Sequence, residues 1–131
     1  MILNSSSEAK LKKVHPDLVR VIKRAAKIAK DIGFIVTCGV RTLEEQKELL
    51  KKGATRTLNS RHIPGADGYS KAVDLAVTID GKVKWDWPLY SKLAGIVKDA
   101  AKLEKVTIEW GGDWKSFKDG PHFQLPKSKY P

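Results

Sequence analysis

Ala72-Val73-Asp74-Leu75-Ala76-Val77-Thr78-Ile79 runs straight into Asp80-Gly81 and then Lys82-Val83-Lys84-Trp85. The first segment is apolar and β-branched, and Val73, Leu75 and Val77 fall on one face at the period of two that a strand imposes. Asp-Gly between two extended segments is a two-residue hairpin signal, so residues 72–79 and 82–85 are expected to pair antiparallel. Asp74 interrupts the apolar pattern. It shares the opposite face with Ala72 and Ala76, where a lone carboxylate loses hydration unless a cation or donor meets it. An ion pair with Lys or Arg and a bound metal are both open readings at this point.

On the N-terminal side, Leu18, Val19, Ile22, Ala26, Ala29 and Ile32 recur at three and four residues and predict a helix over 16–32, with Pro16 in its first turn. Gly33 ends it, and residues 34–38 read as a strand closed by Gly39. Thr42 with Glu45 forms a capping box for a second helix that ends near Gly53. Residues 54–71 are rich in Gly, Ser, Asn, Asp and Pro and read as a long loop. On the C-terminal side, Pro88 opens a third helix through Leu89, Leu93, Ile96, Val97 and Ala100 to about Lys102. A short strand at 106–110, a loop at 111–120 and a final strand at 122–125 complete the chain. The expected fold is α+β: one small domain spanning residues 1–131, an antiparallel sheet with about three helices, and no second domain.

The chain's 131 residues suit a single core, and 41% hydrophobic composition with four Trp, three Tyr and three Phe supplies apolar surface to offset chain entropy. A formal charge of +10, from 25 Lys and Arg against 15 Asp and Glu, favours polyanions such as nucleic acid, acidic glycan or an anionic membrane face. Lys23, Lys27 and Lys30 spread over a helix and read as its solvated side. No compact Lys/Arg run marks a nucleic-acid site, and no nucleic-acid partner is expected. Cys38 is the only cysteine, which excludes an internal disulfide and a Cys-rich zinc cluster and leaves His and carboxylates as the metal ligands. Neither an export signal nor an apolar run near 18 residues is found. A monomer made in the cytosol, without membrane insertion, is expected.

The three histidines can be weighed one by one. His15, beside Pro16, reads as a surface or capping residue. His122 shares a strand face with Gln124, opposite Phe123 and Leu125, and is a core-edge residue or a ligand. Two imidazoles, His62 and His122, with the Asp74 carboxylate would make a set suited to catalytic zinc, leaving one position for water. Zinc lowers the pKa of such a water to about 7 and polarises a carbonyl. Asp119, across Gly120-Pro121 from His122, can serve as general base or as an ordinary turn residue. Trp85, Trp87, Trp110 and Trp114 read first as core, with Trp114 beside Gly111-Gly112 the best placed to line a cleft.

Five blocks in order, Gly39-Val40-Arg41-Thr42 with Gln46, Ser60-Arg61-His62, Ala72-Val73-Asp74-Leu75, Trp110-Gly111-Gly112-Asp113-Trp114 and Asp119-Gly120-Pro121-His122-Phe123, resemble phage endolysins of the L-alanyl-D-glutamate peptidase type. That family is related to zinc D-Ala-D-Ala carboxypeptidases. The resemblance implies one Zn²⁺ per chain on His62, Asp74 and His122, Asp119 as general base and proton shuttle, and Arg41 facing an oxyanion or a substrate carboxylate. It also implies that Gln46, Ser60 and Trp114 line the substrate groove. The implied function is hydrolysis of the L-Ala–D-Glu bond in peptidoglycan stem peptides, causing host lysis, with the enzyme reaching the periplasm once the membrane is permeabilised. Cleavage at D-Ala–D-Ala, or a basic non-catalytic wall-binding module, are the alternatives. The chain departs from the family pattern in one place. Eleven residues separate His62 from Asp74 where relatives have His-x6-Asp, and Ser70 stands where they carry glycine. Asp67 in that longer loop is an alternative ligand.

Overall fold

The computed structural model describes residues 1–55, 57 and 59–131. Its elements in chain order are α1 (Ser5–Lys10), α2 (Pro16–Ile28), β1 (Gly33–Cys38), α3 (Leu43–Lys51), β2 (Ala72–Ile79), β3 (Lys82–Lys84), α4 (Trp87–Glu104), β4 (Glu109–Trp110) and β5 (His122–Gln124), with a 3-10 turn at Gly111–Asp113. The segment 72–79 is the central strand. β1 flanks it on one side, while β5 and β3 share the other, pairing with residues 72–74 and 77–79 respectively, and β4 lies outside β5. All these pairings are antiparallel, as the Asp80-Gly81 hairpin led one to expect.

α2 and α4 pack on each other and join the sheet in one core. Leu18, Val21, Ile22 and Ala25 of α2, Leu93, Val97 and Ala100 of α4, and Val73, Leu75 and Val77 of β2 are all without solvent exposure. Burying each of the larger aliphatic chains contributes about 1.5–3 kcal/mol. Thr42 and Glu45 close the expected capping box at the start of α3.

Several elements differ from the sequence reading. α1 is a fourth helix, capped by Asn4, whose Oδ1 accepts from Ser7 N at 2.8 Å. Its Ser-rich start has no apolar period, and a helix this short is marginal alone. It is held by the sheet, since Val36 N donates to Ser7 Oγ at 2.9 Å. α2 stops at Ile28 rather than Ile32, because Ala29 turns extended (φ −60°, ψ 131°), and Asp31 then turns left-handed (φ 68°) before Ile32 enters the core separately. The strand expected over 106–110 is confined to Glu109–Trp110, after Lys105 ends α4 in a left-handed cap. Of the tryptophans only Trp110 is core. Trp85 and Trp87 are exposed and Trp114 is half-buried. In the 54–71 loop, positions 56 and 58 lie outside the described residues.

One irregularity positions the site. Val36 pairs with Leu75, but Cys38 rather than Thr37 pairs with Asp74, so β1 carries a bulge. Bulges re-aim side chains, and this one brings Cys38 to the Asp74 face and sends the chain onward through Gly39 to Arg41. Gly39 has to be glycine, since a Cβ there would come 1.9 Å from the Lys10 carbonyl at the end of α1.

Candidate metal centre

Strand register assembles most of the site. Cys38 on β1, Asp74 on β2 and His122 on β5 are direct cross-strand partners in a row, and partners in an antiparallel pair project on the same face. His62 enters from the loop, 2% exposed, with its backbone tied at both ends: His62 N donates to Ser60 Oγ at 3.1 Å, and its carbonyl accepts from Arg41 N at 3.0 Å.

Hydrogen bonds on the outer side of each imidazole decide which nitrogen faces inward. His62 Nδ1 lies 2.8 Å from the Gly39 carbonyl, which can only accept, so Nδ1 carries the proton. Nε2 is then a bare lone pair, 3.2 Å from Asp74 Oδ1 and buried without a hydrogen-bond partner. For His122, Gln124 Nε2 donates to Glu109 Oε1 at 3.0 Å, which turns Gln124 Oε1 toward His122 Nε2 at 2.7 Å. That carbonyl oxygen also can only accept. His122 Nδ1 therefore presents its lone pair to the same Asp74 Oδ1, at 3.1 Å. Two imidazole nitrogens and a carboxylate oxygen converge with every proton turned outward, an arrangement that calls for a cation and matches the outer-shell pattern of metal-bound histidine.

Protons are the other positive charge available, and the titration behaviour reflects the same demand. Burial disfavours a charged His62, but Asp74 and then Cys38 outweigh it and hold the imidazole up at about 10. Burial likewise pushes Asp74 up, and is outweighed by His122 and His62, which hold the carboxyl well below its usual range.

Asp74 divides its two carboxylate oxygens between the imidazoles and a guanidinium. Oδ1 faces the imidazoles, while Oδ2 is 3.7 Å from Arg41 Nη2. Arg41 Nη1 donates to Gln46 Oε1 at 2.9 Å and Nη2 to Cys38 Sγ at 3.5 Å. Gln46 is fully buried, and its amide also donates to Thr55 Oγ1 (3.2 Å) and the Thr57 carbonyl (2.7 Å), so it aims Arg41 into the cleft. Asp119 is half-buried. Burial first and the Asp74 charge second push its carboxyl up, against the pull of His122, His62 and Arg41. A carboxylate oxygen of Asp119, one of Asp74 and a ring nitrogen of His122 lie within 4.8 Å of one another. Gly111 fixes this turn, because a Cβ there would come 2.3 Å from the Asp119 carbonyl. Trp114 packs its ring 5.1 Å from that of His122. These groups line a cleft of about 300 Å³ that also includes Ser60.

A family model described as phage L-alanyl-D-glutamate peptidase matches residues 1–125. The chain belongs to this family. It is 36% identical over 113 residues to the peptidoglycan L-alanyl-D-glutamate endopeptidase CwlK of Bacillus subtilis, covering 78% of this chain and 66% of that protein. It is 37% identical over 91 residues to the L-alanyl-D-glutamate peptidase of Listeria phage A118, covering 70% of this chain and 30% of that protein. The chain thus spans less than two thirds of the length of these relatives. The crystal structure of the L-Ala D-Glu endopeptidase ChiX of Serratia marcescens superposes with a TM-score of 0.87 at 42% identity, covering 97% of this chain and 91% of that one.

Within this peptidase fold the longer loop leaves the site intact for a local reason. Gly65 N donates to the Tyr69 carbonyl (3.1 Å) and Gly68 N to the Gly65 carbonyl (2.9 Å), so residues 65–69 close on themselves as a side excursion. The chain then re-enters at Ser70, which is fully buried and hydrogen-bonds the Gly39 carbonyl through Oγ at 3.2 Å. Asp67 is exposed on the excursion and pairs with Lys71 at 2.7 Å, outside the metal-binding groups found among the described residues. His15 caps α2, its Nδ1 accepting from Asp17 N at 3.1 Å.

Counting cysteines misses one donor. Cys38 Sγ is 3.6 Å from His62 Nδ1, and Cys38, His62 and Asp74 form a second group able to hold an ion. The β1 bulge, invisible in composition, puts this sulfur beside the His and carboxylate groups that composition alone points to. Gln124 and Glu109 are also absent from the matched blocks, and Gly39 stands in one of them without a role. The alternation that pairs Gln124 with His122 on one face was the one available signal for Gln124. No helix among the described residues is long and apolar enough to cross a membrane.

Proposed function

We propose that this chain is a zinc metallopeptidase that hydrolyses the L-Ala–D-Glu bond of peptidoglycan stem peptides and acts as a phage endolysin. The observation that carries the reading is the convergence of His62 Nε2, His122 Nδ1 and Asp74 Oδ1 with their protons directed away. One zinc ion held by His62, Asp74 and His122 would supply Lewis acidity toward the scissile carbonyl and lower the pKa of the attacking water. Asp119, its affinity for protons raised by burial, would act as the proton acceptor for the attacking water and the proton donor to the leaving D-Glu nitrogen. Arg41, braced by Gln46, offers its guanidinium to the oxygen on which negative charge develops. Ser60 holds the His62 backbone, and the Trp114 ring walls the cleft beside His122. The strong positive charge favours residence on the anionic envelope after the host membrane has been permeabilised.

Metal analysis of the purified protein, joined to mass spectrometry of digested muropeptides, tests this. One zinc per chain and peptides beginning at D-Glu are expected. Release of D-Ala would move the cut to D-Ala–D-Ala, and a metal-free protein that cleaves nothing would favour a wall-binding module.

A further inference from the structure

Beside the metal cleft lies a second cavity of about 390 Å³, and Asn59, Ser60 and Arg61 line both. Its wall also includes Ile63, Gly65 of the loop excursion, Lys71, Lys127 and Pro131, and among the described residues no acidic side chain lines it. Lys71 is 2% exposed, an uncommon position for an ammonium, and is held there by Asp67 Oδ1 (2.7 Å) and the Tyr69 carbonyl (2.8 Å). Two of its three N–H donors are thereby used. Arg61 donates Nη2 to the neutral carbonyls of Leu125 (2.8 Å) and Tyr130 (2.7 Å), and its buried Nε has no partner. Lys127 is exposed. Three cations, set against the carboxylate of Asp67 and the carboxyl of Pro131, leave this wall with a positive excess attractive to an anion, and it adjoins the proposed centre of peptide cleavage.

The substrate carries the matching charge on one side only. A glutamate that continues a chain through one of its carboxyl groups keeps the other free, so the residue following the L-Ala–D-Glu bond presents a carboxylate within a few bonds of the cut, while alanine presents a methyl group. We infer that the Arg61–Lys71–Lys127 cavity is the subsite for the free D-Glu carboxylate and the peptide leg beyond it. The inference rests on the peptidase reading above and gives the substrate a direction: the D-Glu leg runs past Arg61, and the alanine side lies toward Trp114. Because Gly65 and the Asp67 that holds Lys71 belong to the excursion, the longer His62–Asp74 loop builds part of a specificity wall while leaving the metal cluster unchanged.

The test uses two soluble peptides, L-Ala–D-Glu–L-Lys joined through the γ-carboxyl and the same peptide amidated at the α-carboxyl, so that attraction to whole wall plays no part. The zinc-loaded protein should prefer the free acid by about fivefold in KM, with kcat little changed, the magnitude of one well-placed ion pair. Lys127→Glu, at an exposed position away from the metal cluster, should abolish that preference by raising KM for the acid alone. Equilibrium binding of the D-Glu–L-Lys leg and its amide, followed by calorimetry, supplies a readout that does not require turnover, and the acid should again bind about fivefold tighter in wild type only. If the protein cleaves both peptides and neither KM nor leg binding responds to amidation or to Lys127→Glu, the subsite is wrong and the peptidase reading stands. If it cleaves neither but binds the acid leg in a Lys127-dependent way, the subsite stands and the peptidase reading falls.

Discussion

Gln124 touches neither substrate nor metal in the proposed mechanism, yet its replacement should be felt at the metal. Gln124 Oε1 accepts from His122 Nε2 at 2.7 Å, while its amide nitrogen is anchored on Glu109 Oε1 at 3.0 Å. Gln124→Leu would strand the His122 N–H in a site only 7% exposed and remove what keeps Nδ1 turned toward Asp74. Losing an outer-shell partner of this kind typically lowers metal affinity by about 10–100-fold, or about 1.4–2.8 kcal/mol. The stranded donor alone costs about 1–3 kcal/mol, which agrees. The assay is a competition titration against a zinc chelator, with kcat measured at saturating zinc to separate affinity from chemistry. Exchanging the pair, Gln124→Glu with Glu109→Gln, keeps an acceptor toward His122 and a donor between the two side chains, and should recover most of the affinity. Zinc binding by Gln124→Leu within about threefold of wild type would refute the claim that this chain of hydrogen bonds selects the metal-facing nitrogen of His122.

Other consequences can be checked separately. Asp119→Asn removes the proton acceptor while leaving the proposed ligands in place, so kcat should fall by about 10²–10⁴-fold with zinc stoichiometry unchanged. Retained lytic activity on cells stripped of their outer membrane would dismiss Asp119 as base. Asp74→Ala should lose zinc together with the zinc-dependent stabilisation, which is about 4 kcal/mol at a thousandfold excess over Kd and is read as a rise in Tm; unaltered stoichiometry would shift the ligand role to Cys38 or Asp119. At the C-terminal tail, the Tyr130 hydroxyl donates to Asp17 Oδ2 at 2.6 Å and is the main cause of that carboxyl's lowered pKa, with Arg20 adding to it against partial burial. A lowered folded-state value means the contribution is complete above the ordinary 3.8 and disappears as pH falls through the lowered one. Tyr130→Phe should thus be about 1 kcal/mol less stable at pH 7, discounted for partial exposure, with the two Tm curves merging at the acid end; a constant gap at all pH values would contradict the linkage.

The central strand, its hairpin, the capped third helix and the two long packing helices follow from local chemistry that can be read along the chain. Val73, Leu75 and Val77 alternate, Asp80-Gly81 turns, and Thr42 with Glu45 caps, each within a few residues of its partner. The candidate ligands were legible for a related reason: histidines are few, and a carboxylate in an apolar strand needs a partner wherever the chain goes. The identity of that partner is different in kind. Asp74 meets His122 through the β2–β5 register, and meets His62 because Gly39 and Ser70 lock a loop whose excursion closes on itself. A slip of one residue in register would send either side chain to the other face. The bulge that adds Cys38, the α1 helix that leaves room only for glycine at position 39, and the Gln124–Glu109 brace behind His122 join residues far apart in sequence. Their energies exist only when the sheet is assembled. Periodicity and residue type thus determined which groups could act, and tertiary packing decided which atoms of those groups face each other, because hydrogen-bond direction depends on neighbours that only the folded chain brings together.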